Sequence, residues 1–298
     1  MKSLFAILKF IWNHPLASKN RFLAIRRFLS WQIGQRLRPG PKRVRFVEDS
    51  VLVAELGMVG ATGNIYMGLL EFHDMAFLLH ILKPGDMFVD VGANVGVYSV
   101  LAAKNAGADV ISFEPIPSTF SKLQRNIEAN GVKDRVDLKR YGVSDKPGSL
   151  HFTATMDVVN HVLKPGQQAD PSWTVEVPVG TLDDLVLARK PVLCKIDVEG
   201  YEWPVLNGAS SLLSSPSLKA VIIELNGSGS KFGFDEDKIH ALFVSHGFAP
   251  YRYEPFSRQL KEEPRYYGHD NTIYIRDLEW VRQRIKASKQ YNILNVKV

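Results

Sequence analysis

The stretch from Gly85 to Tyr98, GDMFVDVGANVGVY, constrains this chain more than any other. Met87, Phe88, Val89 and Val91 form a short apolar run behind Pro84-Gly85, the pattern of a strand covered on both faces. Gly92 and Gly96 bracket a turn. The first lets the chain reverse without a Cβ clash, and the second lets the following helix pack closely on the sheet. The N–H groups of Ala93 to Val97 are expected to open that helix, a natural seat for an anionic group.

Asp90 is the discriminating residue, an acid inside an otherwise apolar strand. Burying a carboxylate is costly unless something pairs with it. The glycines are spaced G-x-x-x-G, which is not the G-x-G-x-x-G of dinucleotide binding. A strand acid followed by G-A-N-x-G suits a ligand with both an ammonium and a carboxylate, and the expected ligand is S-adenosylmethionine (SAM). The plainer alternative is an ordinary α/β turn with Asp90 capping backbone.

After the turn the chain alternates strands and helices. Asp109 to Phe113 reads as the second strand, ending at Glu114-Pro115. An acid at that tip grips a ribose diol, because one carboxylate accepts two hydroxyl hydrogens. Arg135 to Tyr141 is the third strand, and Ser144 and Asp145 just beyond it are placed where an adenine ring would be edged. Leu150 to Val179 breaks the alternation and reads as a β insertion over the ligand crevice. Val192 to Val198 is the fourth strand, carrying Lys195 and ending at Asp197, Glu199 and Glu202. Lys219 to Leu225 is the fifth, with Glu224. Phe248 to Tyr253 and Thr272 to Ile275 read as a closing antiparallel pair. Chemistry at the carboxyl ends of successive strands predicts an α/β fold with a doubly wound, mostly parallel sheet.

The 298 residues are 45% hydrophobic, enough for one large domain with an appendage. Cys194 is the single cysteine, so no internal disulfide framework forms and a cytoplasmic location is the simplest inference. The net charge of +6 hides an asymmetry. Residues 1–47 hold eleven Lys and Arg and no acid, leaving 26 bases against all 31 acids, a balance of −5, for the rest. In this arm Met1 to Trp12 and Arg21 to Leu37 are amphipathic, with Phe22, Ile25, Leu29 and Ile33 on one side of the second stretch. Two partners fit: an anionic leaflet at the inner face of the membrane, contacted peripherally through residues 1–47, or protein, meaning the domain itself or a second subunit in a homo-oligomer. Nucleic acid is not expected, since it leaves the apolar faces without a partner. Asn64 to Leu82 is helical in period, and Val44 to Gly63 is strand-like.

The ordered motifs Asp90-Val-Gly-Ala-Asn-Val-Gly-x-Tyr98, Phe113-Glu114-Pro115, Asp197-Val198-Glu199-Gly200-x-Glu202 and Ile223-Glu224 resemble the FkbM-type SAM-dependent methyltransferases, and Asn271-Thr-Ile-Tyr274 is similar to that family's closing strand. The resemblance covers roughly Asp74 to Ile275. It implies a class I, seven-stranded Rossmann-like sheet with an antiparallel closing pair, SAM as donor, and O-methylation of a hydroxyl on a sugar, glycan or related natural product. The expected domains are 1–63, a basic amphipathic helical arm with a small β element; 64–277, the methyltransferase domain; and 278–298, a helical tail.

Methyl transfer to an alcohol needs a base near the methyl group. Asp197 is the first choice, with Lys195 and Glu199 as further catalytic candidates. The cofactor residues are Asp90, Gly92, Ala93, Asn94, Gly96, Tyr98, Glu114, Ser144, Asp145 and Asp197. Asp197, Glu199 and Glu224 also form a set of hard oxygen ligands of the kind magnesium prefers, but no metal is assigned. Two other classes compete: a nicotinamide-dependent oxidoreductase, disfavoured by the glycine spacing, and a non-catalytic SAM-binding module at a membrane, disfavoured by the acids of strand four.

Overall fold

The computed structural model describes residues 4–155, 160–164 and 166–298. The chain opens with α1 (Leu4–Asn13), α2 (Arg21–Leu37) and a hairpin of β1 (Lys42–Arg45) and β2 (Val51–Ala54). Two helices follow, α3 (Val59–Met67) and α4 (Phe72–Ile81). The sequence suggests one helix from Asn64 to Leu82, and a strand-like stretch up to Gly63. Instead helix begins at Val59 and breaks between the two. The Asn64 side chain ties that break, accepting the Leu70 N–H (2.8 Å) and donating to Gly60 O (2.7 Å). A side chain that satisfies loop backbone in this way competes with the helix ladder.

The main sheet is built from β3 (Met87–Val91), β4 (Asp109–Phe113), β5 (Val136–Lys139), β9 (Leu193–Ile196), β10 (Ala220–Leu225), β11 (Ala249–Glu254), β12 (Gln259–Glu262) and β13 (Asp270–Ile275). Their order is β12-β11-β13-β10-β9-β3-β4-β5. Strands β5, β4, β3, β9 and β10 run parallel, and β13 lies antiparallel beside β10. This is the doubly wound, Rossmann-like sheet expected, with eight strands and not seven. The additional strand, β12, carries the sequence QLKE and pairs only with β11 at the sheet edge. An edge strand is commonly polar, so it lacks the apolar alternation that would announce it.

The crossovers supply α5 (Val97–Val100), which continues as a wider π-helical turn to Ala106, α6 (Pro117–Ala129), α7 (Leu182–Val186), α8 (Glu202–Asn207), α9 (Ser210–Ser214) and α10 (Glu236–Ser245). Between β5 and α7, β6 (Gly142–Val143), β7 (Gly148–Thr153) and β8 (Thr174–Gly180) form a separate three-stranded sheet, the expected insertion. The tail is helical only over α11 (Leu278–Ala287). It then forms a hairpin of β14 (Asn292–Ile293) and β15 (Val296–Lys297), where the sequence suggests continued helix.

Arm and tail share one apolar cluster with one face of the sheet. That cluster runs from Ile11, Ala24, Phe28 and Trp31 through Phe77 and Leu101 to Ile293 and Val298. Each fully buried Phe or Trp of this kind contributes about 1.5–3 kcal/mol. A second cluster, including Val91, Ile196, Val205 and Phe243, covers the opposite face.

Candidate active site

After β3 the chain runs on to β4 and β5 on one side. It then crosses to β9 and β10 on the other. In such sheets the crevice opens at the carboxyl ends of the strands where the order reverses, here between β3 and β9. The backbone shows why Gly92 is required: its φ is +78°, and an added Cβ would lie 1.8 Å from the Asp197 carbonyl oxygen. Asp197 N–H donates to Val91 O (3.1 Å), so the ends of the two strands are locked together. At Gly96 (φ +85°) a Cβ would meet the Leu123 side chain at 2.4 Å, the close helix packing expected.

The turn's N–H groups differ from expectation. Gly92 and Ala93 donate to Phe113 O (3.0 and 2.9 Å), Gly96 to Ala93 O (2.8 Å), and Asn94, itself at φ +51°, to Glu114 Oε2 (3.0 Å). Of the Ala93 to Val97 N–H groups, those of Ala93 and Asn94 are thus spent on the tip of β4, and that of Gly96 is spent within the turn. Ile116 N–H holds the other Glu114 oxygen (2.9 Å). Burial still pushes the Glu114 carboxyl up to about 8, against those two bonds.

Asp90 and Lys195 are cross-strand partners in the β3–β9 register, so they share a face. Asp90 Oδ2 accepts a hydrogen bond from Ser99 Oγ (2.6 Å), and burial raises its pKa against the pull of Lys195. The buried acid therefore has an internal donor. Lys195 Nζ donates to Asp197 Oδ2 (2.7 Å) and lies 4.8 Å from the centre of the Tyr98 ring. Burial opposes its charge, but Asp197, Glu71 and Asp90 overcome it and keep the ammonium protonated. Glu199, at φ +55°, has its carboxyl pushed up to about 7 by burial and by the charge of Asp197. Glu224 is raised for the same two reasons. Glu202 is a structural residue: its Oε1 accepts the N–H groups of Val198 and Gly200, both at 3.1 Å, and fixes the turn after β9.

These groups line two adjoining cavities. The first, about 270 Å³, collects Asp90, Gly92, Ala93, Asn94, Tyr98, Glu114, Lys195, Asp197 and Glu199, with Phe152, Asn160 and His161 from the insertion. Gly96, Ser144 and Asp145 are not among its lining residues. Ser144 Oγ donates to Asp145 Oδ1 (3.1 Å) beside β6 instead. The second cavity, about 650 Å³, shares Leu70, Glu71 and Glu224 with the first. Asp74, Tyr251, Arg252, Tyr267 and Asn271 also line it, and α1 closes one side with Phe10, Asn13 and His14.

Sequence reasoning passed over Glu71 and Asp74. Both carboxyls are raised by burial, and Asn271 Nδ2 donates to Asp74 Oδ2 (3.3 Å). The signal was available: two acids, Glu71 and Asp74, inside a stretch otherwise apolar enough to be core. The carboxylates of Asp197, Glu199 and Glu224 approach within 4.8 Å of one another, the spacing of a cation site.

The family model described as the methyltransferase FkbM domain matches residues 90–250, and the chain belongs to that family. Hexuronic acid methyltransferase AglP of Haloferax volcanii is 32% identical over 152 residues, 50% of this chain. The match spans 59% of AglP, under two thirds of its length. The 31-O-demethyl-FK506 methyltransferase FkbM of Streptomyces tacrolimicus is 29% identical over 213 residues, 59% of this chain and 78% of that one. Methyltransferase 1 of Beauveria bassiana is 30% identical over 190 residues, 56% and 74% of the two chains.

Proposed function

We propose that this methyltransferase uses SAM and methylates a hydroxyl of a sugar, glycan or related natural product, with Asp197 as general base, in the cytoplasm. The observation that carries the reading is the Lys195–Asp197 pair, held against Gly92 in the first cavity, which adjoins the second. The residues fit the donor. Each Glu114 oxygen accepts one backbone N–H and keeps a lone pair, so the two together can take a ribose diol. SAM supplies an electrophilic methyl group on a sulfonium, transferred by direct displacement. Lys195 fixes one Asp197 oxygen and leaves the other for the acceptor proton as the new O–C bond forms. Tyr98 and the insertion exclude water from the reacting atoms.

The acceptor cavity favours a neutral sugar over a uronate. Lys195 and Arg252 are the only Lys or Arg among the described residues lining the two cavities, against Asp90, Glu114, Asp197, Glu199, Glu224, Glu71, Asp74 and Asp270. Carboxyl groups hydrogen-bond sugar hydroxyls and the tyrosines offer stacking faces, whereas among the described residues a uronate would find only Arg252 as a Lys or Arg partner in the second cavity. The test is transfer of labelled methyl from SAM to a panel of neutral, amino and uronic sugars, free and lipid-linked. No transfer to any hydroxyl acceptor, with NAD bound in place of SAM by calorimetry, would sink the reading. A second reading rests on the 4.8 Å carboxylate cluster, which could hold magnesium to orient the acceptor oxygen. Activity lost on chelation and restored by magnesium would select it.

A further inference from the structure

Helix α2 has two apolar faces. Ala24, Phe28 and Trp31 are buried against the domain. Phe22, Leu29, Ile33 and Leu37 lie on the opposite side, because residues seven and four apart return to one helix face. They are 79%, 46%, 58% and 77% exposed. Helix α1 extends this surface with Phe5, 76% exposed, and with Trp12, whose ring meets Phe22 edge-on at 5.7 Å. Eight of the twelve large hydrophobic side chains exposed among the described residues lie on these two helices. Single exposed apolar residues are ordinary, but a contiguous patch marks a contact surface.

The charges on the patch decide what covers it. Lys9 lies between Phe5 and Trp12 along one face of α1, and Arg26 lies between Phe22 and Leu29 on α2; both are exposed, as are Arg36 and Arg38 at the far end. No acid occurs in residues 1–47. A second copy docked about a twofold axis would press this basic patch against itself, with no carboxylate from either arm to offset it. Nucleic acid would meet the cations and leave the aromatic and aliphatic groups in water. A bilayer with anionic headgroups meets both requirements at once. Among the described residues no helix is long and apolar enough to cross a membrane, so the contact lies in the interface plane.

We propose that the outer faces of α1 and α2 dock on an anionic lipid bilayer. Phe5, Trp12, Phe22, Leu29, Ile33 and Leu37 enter the interface, while Lys9, Arg26, Arg36 and Arg38 meet the headgroups. Because α1 also walls the second cavity through Phe10, Asn13 and His14, docking brings that cavity beside the bilayer. The docking does not depend on which acceptor the cavity takes.

The test is sedimentation of the full-length protein with vesicles of phosphatidylcholine, alone or with about a third phosphatidylglycerol. The expected result is pelleting with the anionic vesicles that weakens as salt is raised. A variant carrying Phe22→Ser, Leu29→Ser, Ile33→Ser and Leu37→Ser should lose at least about tenfold in vesicle partitioning, since each removes apolar area from the interface. Its circular dichroism and thermal midpoint should stay near those of the parent, which separates lost docking from lost folding. A second variant, Lys9→Gln with Arg26→Gln, should show a smaller preference for anionic over neutral vesicles than the parent, with Arg36 and Arg38 still in place. Full-length protein that stays in the supernatant overturns the proposal, as does a four-serine variant that pellets like the parent. So does a dimer in light scattering that this variant converts to monomer without any vesicle binding, which would assign the patch to a second copy.

Discussion

The crevice between β3 and β9 and the α1–α2 arm treat their side chains in opposite ways. In the crevice several polar groups are committed inside the chain: Asp90 to Ser99, Glu114 to two backbone N–H groups, Asp197 to Lys195, while one buried Glu224 oxygen is left for a ligand. On the arm half the apolar groups are committed and half are not. Phe28 is buried at 4% exposure, and six residues earlier on the same helix Phe22 stands at 79%. The crevice is therefore largely preorganised around Asp90, Glu114 and Asp197. The arm is stable through one face and open to a partner through the other.

The largest effect should come from the crevice. Asp197→Asn keeps the shape of the site and removes the base, so transfer should slow by roughly 10²–10⁴-fold. SAM affinity should remain near that of the parent, read by single-turnover methylation beside calorimetry. Full activity in this variant would pass the role to Glu199 or His161. On the arm, Phe28→Ala should destabilise by about 3–5 kcal/mol in denaturant unfolding, the range for an aromatic cut from a core. A value near zero would mean that the arm is not part of the cooperative unit. Glu114→Ala should weaken SAM binding by about 1–3 kcal/mol, the scale of lost charge-assisted hydrogen bonds, with catalysis at saturation little changed.

A smaller effect concerns pH. Burial raises Glu114 to about 8 and Glu199 and Glu202 to about 7, above the ordinary value of 4.5. The folded state then holds more protons than the unfolded chain between about pH 4.5 and 8. Stability of the ligand-free protein from these groups is present below that window and is lost as pH rises through it. The thermal midpoint of the ligand-free protein should fall as pH rises from about 5.5 to about 8.5, through the folded values of Glu199, Glu202 and Glu114. If a ribose diol engages Glu114, the carboxylate is favoured and SAM binding near pH 7 should release protons, seen as a dependence of binding heat on buffer. The smallest effect belongs to the arm's outer face, where Leu29→Ser should change stability by no more than about 0.5 kcal/mol.

The same comparison explains what the sequence could reveal. The glycine turn was legible because its constraint is local: Gly92 and Gly96 must take positive φ, and no distant contact alters that. Strands β3, β4, β9 and β10 were legible because a strand buried on both faces is a continuous apolar run. The partners of the turn's N–H groups were not legible, because Phe113 O and Glu114 reach the turn only after the sheet has formed. Glu71 and Asp74 stood out as acids in an apolar stretch, but their place at the cavity was not legible, because it follows from the break between α3 and α4 that the Asn64 side chain ties. On α2 the period of 3.6 was visible, but a helix apolar on both sides gives no phase. The stripe through Phe22, Leu29 and Ile33 turns outward, and Ala24, Phe28 and Trp31 face the core.

The contact between Gly92 and the Asp197 carbonyl has a consequence for tolerance. The seat of the turn and the carboxylate opposite are registered to each other by main-chain atoms. Side-chain rotamers have no part in setting that spacing. Ladder bonds hold β3 to β4 and β9, and the Asp197 N–H bond to Val91 O ties the two strand ends at the gap. Chemistry that needs alignment to about half an ångström is thereby given a ruler made of backbone. The loops above can drift, and the acceptor can change with them, while the gauge beneath stays the same.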